Sequence, residues 1–433
     1  MKTMRCLFLL ERGFLNIERL RRTRMKILIY GNGGREHSIA WKLSKSKIVE
    51  EIFMVDPNPL MGSLGKSIHV NNFEELTNFA VLNKIDLVLV GPEDPLTRGI
   101  IDVLAKSNVP AFGPPSKYAW LESSKIRAKE FNFSHSIPCA RSVAINNLEV
   151  AKRYISEFTP PYVLKADGLA GGKGVSIIDD QNEAINEVKR MLSGKFGNAS
   201  KRLLIEEFLE GKELSAICLY DGTTLYPLDF VRDHKRLSNF DKGPNTGGMG
   251  AYSPVSLDSR EKKDVLDLIE GISKALKSEN ISYKGVLYIG LMITKDGPKV
   301  LEYNVRFGDP ETQVLMVRLK NDFGEVLKKV MENKLNELTM EWGQYTNLLV
   351  IAAKGYPENP VKHVEIQDFT QLANDLGVMV FGASITKENG KLFSNGGRVL
   401  NVVAVGKDAH ERTLEFAKRL KFEAKIYRTD IGG

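Results

Sequence analysis

Cysteine is scarce in this chain: Cys6, Cys139 and Cys218 are the only three in 433 residues, far apart and in no C-x-x-C pair. That spacing excludes a zinc ribbon, a dithiol redox motif and a secreted disulfide scaffold, and it points to a reducing, cytoplasmic compartment. Long apolar runs are missing as well. No stretch reaches the ~18 residues of a membrane span, and Cys6-Leu7-Phe8-Leu9-Leu10 is too short for a signal-peptide core and soon meets charges. There is no internal repeat and no low-complexity linker. Disorder and collagen are excluded by 42% hydrophobic and 27% charged residues. What is present is enough apolar material for several cores, in a chain about two to four times the length of a typical domain.

Charge of one sign is also scant once the amino terminus is set aside. Residues 1–24 carry seven Lys or Arg against Glu11 and Glu18, so they hold five of the net +7. A basic tail meeting nucleic acid or membrane is one reading of that segment. The expectation adopted is that translation begins at Met25, where a strand starts at once, and that neither nucleic acid nor membrane is a partner.

From Met25 the pattern alternates: strand (26–30), helix (35–43), strand (51–55), helix (73–82), strand (86–90), helix (97–105) and strand (110–112). Alternation of this kind predicts a parallel sheet with helices on its faces and ligands beyond the carboxyl ends of its strands. Those ends read Gly31-Asn32-Gly33-Gly34, Asp56-Pro57-Asn58 and Gly91-Pro92-Glu93. Two helical stretches follow over 117–131, broken near Ser123. A second α/β region then has hairpins at Asp221-Gly222 and Asp296-Gly297, and from about residue 340 a third pattern of strands (347–353, 378–383, 399–405) ends in a helix (408–420). The fold class is therefore α/β and α+β multidomain. Expected boundaries are 1–24 as an extension, 25–125 as a Rossmann-like parallel-sheet substrate domain, 126–335 as a central domain with a mobile lid over about 126–195, and 336–433 as a small carboxy-terminal α+β domain.

Three segments carry chemistry. The turn Gly31 to His37 joins a strand to a helix, so its backbone N–H groups can receive a phosphate. A nicotinamide-dependent oxidoreductase is the rival there, but G-x-G-x-x-G lacks its third glycine, because Glu36 stands in that place. The segment from Val163 to Val175 sets Lys165 and Lys173 around Gly168, Gly171, Gly172 and Gly174; it is not a Walker loop and suits a flap over polyphosphate. The strand from Val300 to Phe307 places Glu302, Asn304 and Arg306 on one face and Leu301, Tyr303 and Val305 on the other. A carboxylate and an amide oxygen at that spacing suit Mg²⁺, and the adjacent guanidinium suits the charge of a transferring phosphoryl group. Polar loops at Asp233 to Arg236 and Lys242 to Gly250, and the strand connection Glu206 to Glu213, are further ligand candidates; His234 has no second histidine near it and reads as a hydrogen-bonding or structural residue.

Taken together, G-N-G-G-R-E-H (31–37), G-P-E-D-P-L (91–96), the segment 165–175, D-H-K-R (233–236), G-P-N-T-G-G-M-G-A-Y-S (243–253), E-Y-N-V-R-F-G-D-P-E-T-Q (302–313) and N-G-G-R-V-L (395–400) resemble the phosphoribosylamine–glycine ligase family of purine biosynthesis. The resemblance runs from Met25 to about Ile431. It implies an ATP-grasp central domain and ATP-dependent ligation of glycine to 5-phosphoribosylamine through glycyl phosphate, with ATP and Mg²⁺ (or Mn²⁺) as cofactors, in a monomer. Another ATP-grasp ligase acting on a related nucleotide intermediate is the alternative.

By the same resemblance, Glu302 and Asn304 are the metal ligands, and Arg306, Lys165 and Asp309 are catalytic. Lys125, Lys165, Gly171, Gly172, Lys173, Gly174, Glu206, Glu207, Phe208, Leu209 and Glu213 contact the nucleotide. Gly33, Gly34, Arg35, Glu36, Glu93, Asp233, Lys235, Asn245, Thr246, Gly247, Gly248, Arg306 and Asp309 contact the other substrates. Two segments depart from the family pattern: Asp56-Pro57-Asn58-Pro59-Leu60 stands for P-G-N-A-G, and Leu121-Glu122-Ser123-Ser124-Lys125 for L-E-G-S-K.

Overall fold

The computed structural model describes residues 24–171 and 173–432, so Cys6, the basic segment 1–23 and Gly172 lie outside the described residues. The first sheet has five parallel strands in the order Lys66–Ile68, Val49–Val55, Met25–Tyr30, Leu87–Val90, Ala111–Phe112. Both faces are covered. Leu28, Phe53, Val55, Val88 and Val90 pack into one core, while Ile27, Ile29, Met54, Leu87 and Leu89 pack into another. This is why these strands read as continuous apolar runs rather than alternating ones. The expected helix over 97–105 is two helices, Glu93–Thr97 and Ile100–Lys106. Gly99 between them has φ +85°, a left-handed conformation that interrupts the helix and that glycine adopts without a Cβ clash.

The middle of the chain builds two antiparallel four-stranded sheets. One has the order Ser142–Ile145, Leu203–Glu207, Tyr162–Ala166, Val175–Ile178; the other has Leu225–Pro227, Lys212–Tyr220, Gly285–Thr294, Gly297–Asn304. The two expected hairpin turns are present, with Gly222 at φ +95° and Gly297 at φ +106°. Asp221 Oδ1 accepts the backbone N–H groups of Thr223 at 3.0 Å and Thr224 at 2.8 Å, which closes the first of them.

The last strand stops at Asn304 instead of running to Phe307. Its next N–H, that of Val305, donates to Glu122 Oε2 at 2.8 Å and so leaves the strand ladder. The sheet of the carboxy-terminal part takes in two strands from the middle of the chain: Arg232–Asp233 pairs Gly250–Ser253, which pairs Thr346–Ala353, followed by Arg398–Val405 and Met379–Gly382. This shared sheet brings the loop between residues 233 and 250 beside Arg398.

Candidate active site

One cavity of about 1100 Å³ lies among these sheets. Its lining includes Gly33, Arg35, Glu36 and Glu93 from the first sheet's strand ends, and Lys125, Lys165, Gly171, Gly174 and 206–209 with Glu213 from the middle sheets. Asp233, Lys235, Asn245, Thr246, Gly247, Glu302, Asn304, Arg306 and Asp309 complete the predicted set around it. Three predicted residues do not border it. Gly34 opens the helix Gly34–Leu43, and a Cβ there would stand 2.3 Å from Asn401 Nδ2, so its lack of a side chain serves close packing. Gly248, at φ +112°, is pressed against Pro310 and Asp233, and Lys173 is exposed.

At one end of the cavity, the Glu206 carboxylate is 2% exposed and held between two lysines: Lys165 Nζ at 2.8 Å from Oε2 and Lys129 Nζ at 3.2 Å from Oε1. Glu206 was expected to touch the nucleoside; it borders the cavity, and its carboxylate is engaged with these two lysines. Lys129 was missed, although it stands four residues after Lys125 on the helix Lys125–Ser134 and so faces the same way. Burial lowers the pKa of both Lys125 and Lys129, while Glu302 opposes this at Lys125 and Glu206 at Lys129. The helix is pinned at its start. Ser124 Oγ donates to Asp167 Oδ1 at 2.9 Å and the Ile126 N–H donates to the same oxygen at 3.0 Å, which fixes Lys125 beside the Lys165 strand.

Glu302 lies across from them, 3.2 Å from Lys235 Nζ. Lys235 chiefly, with Lys165 and Lys125 adding and burial opposing, holds the Glu302 carboxyl down to about 2. The Lys235 pKa rises well above its ordinary value although burial works against its charge, because Glu302, Tyr288, Glu213 and Asp233 face it. Asn304 Oδ1 accepts Arg306 Nη2 at 3.3 Å. Arg306 also meets Glu93 Oε2 through Nε at 3.2 Å and Glu122 Oε1 through Nη2 at 3.0 Å. Burial opposes the guanidinium charge, but these two carboxylates outweigh it and raise its pKa. Glu122 was not anticipated in any role.

On the first sheet's side, Glu36 fastens its own turn. Oε2 accepts the Gly33 N–H at 2.8 Å and Oε1 accepts Arg35 Nε at 2.6 Å, so one N–H expected to be free for an anion is already occupied. Gly91 must be glycine to admit this carboxylate, since a Cβ there would lie 1.8 Å from Glu36 Oε1. Arg35 Nη1 reaches on to the Phe307 carbonyl at 2.9 Å, tying this turn to the Arg306 segment.

The carboxy-terminal sheet contributes Arg398, a third residue absent from the expected set. Its Nη1 donates to the carbonyls of Gly247 and Asp309, both at 2.6 Å, and Nη2 lies 3.4 Å from Asp309 Oδ1. Burial pushes the Asp309 carboxyl up, but Arg398 and Arg35 prevail and lower it. Gln313 Nε2 donates to the same Oδ1 at 2.8 Å. His234, expected to be a hydrogen-bonding or structural residue, has Nδ1 3.4 Å from Arg428 Nη2 and also borders the cavity.

Two antiparallel sheets meet over this lysine-lined cavity, and residues 123–312 match the family model described as "Phosphoribosylglycinamide synthetase, ATP-grasp (A) domain". The chain is thus an ATP-grasp enzyme, and ATP is its nucleotide. Residues 25–122 and 346–433 match the N and C domain models of the same synthetase. With these three matches in order, the chain belongs to the phosphoribosylamine–glycine ligase family, whose reaction joins glycine to phosphoribosylamine in purine biosynthesis.

Among similar proteins, the phosphoribosylamine–glycine ligase of Brucella melitensis is 40% identical over 94% of this chain and 97% of its own. The crystal structure of the Thermotoga maritima ligase superposes with a TM-score of 0.81 at 35% identity, covering 94% of this chain and 99% of that one. The fold extends further: the biotin carboxylase domain of Hydrogenobacter thermophilus 2-oxoglutarate carboxylase, solved with MgADP and bicarbonate, gives a TM-score of 0.70 at 16% identity, covering 94% and 92% of the two chains. Among the described residues, no helix is long and apolar enough to cross a membrane.

Proposed function

We propose that the ligation runs through glycyl phosphate in this cavity, with Arg306, Lys165 and Lys125 neutralising the phosphoryl group as it moves. A carboxylate is a poor electrophile, so one glycine oxygen must become a leaving group. The glycine carboxylate attacks the γ-phosphorus of ATP and ADP departs; the 1-amino group of phosphoribosylamine then attacks the acyl carbon, loses a proton and expels phosphate. The observation that carries this reading is the convergence of Glu302, Asn304 and Arg306 with Lys125 and Lys165 on one cavity. Cations fixed in advance around a transferring phosphoryl group lower its barrier without reorganising.

Glu302 and Asn304 would hold Mg²⁺. The fit is in the donors: Glu302 is anionic at any working pH, Asn304 offers an amide oxygen, and both border the cavity. Two protein oxygens with the remainder from phosphate and water is the way Mg²⁺ sits in phosphoryl-transfer sites. The ion, once bound, supplies charge neutralisation and orientation of the phosphates. Lys125, Lys165, Gly171 and Gly174 contact the phosphates, and the 206–213 connection contacts the nucleoside. Closure of the 168–174 loop excludes water that would hydrolyse the acyl phosphate. Arg35 and Glu93 face phosphoribosylamine.

Replacement of Glu302 by Ala tests the metal assignment. ADP formation at millimolar Mg²⁺ is expected to vanish while the fold persists by circular dichroism. A variant with wild-type magnesium dependence would remove Glu302 from the metal site.

A further inference from the structure

The carboxy-terminal segment reaches back to a hairpin whose roots stand at the cavity. Its strands, Arg236–Ser238 and Lys242–Asn245, pair only with each other among the described residues, so no larger sheet holds their tip. A lone two-stranded hairpin is marginal in water. The turn is strained as well: Phe240 has φ +59° and Asp241 φ +52°, two successive left-handed conformations in residues that carry a Cβ. Phe240 is 77% exposed, so side-chain packing does not impose that shape.

Arg428 does. Its side chain is 1% exposed, and Nε and Nη2 donate to the two Asp430 carboxylate oxygens at 2.9 and 2.7 Å, which fixes the plane of the guanidinium. Nη1 then donates to Asp241 Oδ1 at 2.8 Å and to the Arg236 carbonyl at 3.0 Å, and Nη2 lies 3.4 Å from His234 Nδ1. Burial opposes the guanidinium charge, but Asp430 and Asp241 outweigh it. Two neighbours complete the grip. Asp430 Oδ2 accepts the Phe240 N–H at 2.7 Å, while Asn239 Nδ2 donates to Thr429 Oγ1 at 2.6 Å and Asn239 Oδ1 accepts the Thr429 N–H at 2.9 Å. The contacts fall on the strained turn and at one root of the hairpin.

The other root carries the consequence. Arg236 pairs Asn245 across the hairpin, and Asn245, Thr246 and Gly247 border the cavity, where Arg398 joins the Gly247 carbonyl to that of Asp309. Arg428 itself is not part of the cavity lining. We infer that Arg428 is a positioning residue for the ligation, holding the 236–245 hairpin so that Asn245 to Gly247 meet the glycyl group beside Asp309. The inference rests on the reading that glycine is activated in this cavity. Without the guanidinium, Asp430 and Asp241 face each other uncompensated and the turn relaxes toward ordinary backbone angles, which carries Asn245 away from its place. The lysines that face the nucleotide stand on other elements and are not disturbed.

The experiment is steady-state ADP formation by the full-length enzyme, giving kcat and the KM values of glycine and ATP for wild type, Arg428→Met and Asn239→Ala. Arg428→Met is expected to raise the glycine KM by about 10-fold or more, with the ATP KM within about twofold and kcat within about threefold, as loss of binding to one substrate does. Asn239→Ala removes two bonds from the tip, leaves the buried guanidinium in place, and should raise the glycine KM by about threefold.

A purely structural role gives a different pattern: kcat falls with the folded fraction and both KM values stay put, and that result in Arg428→Met would overturn the inference. Equal rises in the glycine and ATP KM values would overturn it too, by showing general distortion. If Arg428→Met does not fold, Asn239→Ala decides alone, and a wild-type glycine KM in that variant refutes the positioning role. A wild-type enzyme that makes no use of glycine would refute the assigned reaction instead, so the two failures are separable.

Discussion

Arg306→Ala removes the group that touches most of the candidate site at once. In the wild-type protein its guanidinium spans Glu93 at 3.2 Å, Glu122 at 3.0 Å, Asn304 Oδ1 at 3.3 Å and the Phe307 carbonyl at 3.2 Å. The loss has two parts. A preorganised donor aimed at transition-state charge is worth about 3–4 kcal/mol, which sets the expected fall in kcat at about 10²- to 10³-fold. The second part falls on the fold: Glu93 and Glu122 are left facing each other without a cation, and Glu122, which burial already pushes up, takes a proton to relieve the repulsion. Arg306→Lys separates these parts. One ammonium restores a charge but cannot bridge two carboxylates from a planar fork, so at least a ~10-fold loss of kcat remains. Turnover is measured as ADP released at saturating ATP, glycine and freshly generated phosphoribosylamine, with ATP binding as the control for folding. An alanine variant that binds ATP normally and turns over within threefold of wild type would refute the role given to Arg306.

Two predictions concern the scaffold. His37 is buried and its Nδ1 accepts the Gly382 N–H at 2.9 Å, and burial lowers its pKa to about 4. The unfolded chain therefore binds a proton that the folded one refuses between pH 6.5 and about 4. Stability is full above pH 6.5 and falls by up to about 3 kcal/mol as pH drops through that window. Thermal melts at pH 7.5 and 5 should show this loss reduced in His37→Gln, and an unchanged difference would reject the assignment. Gly91→Ala drives a Cβ into Glu36 and should break the Gly33 and Arg35 bonds, costing about 1–3 kcal/mol and raising the phosphoribosylamine KM. A melt and a KM both at wild-type values would show that Glu36 can move aside freely.

The alternation of Glu302 and Asn304 was legible because a strand's period of two needs no knowledge of what lies opposite, whereas Arg306 lies past the strand's end and reaches the same cavity from the segment that follows. The first sheet was legible for a similar reason, since Ile27 to Ile29 and Leu87 to Val90 are apolar on both faces and are separated by helical stretches. The hidden residues are those whose meaning depends on partners far along the chain. Glu122 matters through Arg306, 184 residues later, and Arg398 through Gly247 and Asp309; both stand in segments compared with the family pattern, L-E-S-S-K and N-G-G-R-V-L, but neither segment shows its distant partner. Lys129 had a local signal, its four-residue spacing from Lys125, but a lysine at that spacing on a helix ordinarily faces water. The commitment of Glu206 to Lys129 and Lys165 could not be read because it depends on how the strand Leu203–Glu207 lies beside the helix Lys125–Ser134.

Glycyl phosphate is the claim on which the rest of the mechanism depends, and an oxygen label tests it directly. Glycine carrying ¹⁸O in both carboxyl positions is turned over with unlabelled ATP and phosphoribosylamine, and the released inorganic phosphate is weighed by mass spectrometry. Because the attacking carboxyl oxygen becomes the bridging oxygen and then leaves with phosphorus, one ¹⁸O per phosphate is expected. Phosphate without label, alongside labelled glycinamide ribonucleotide, would contradict the acyl phosphate route.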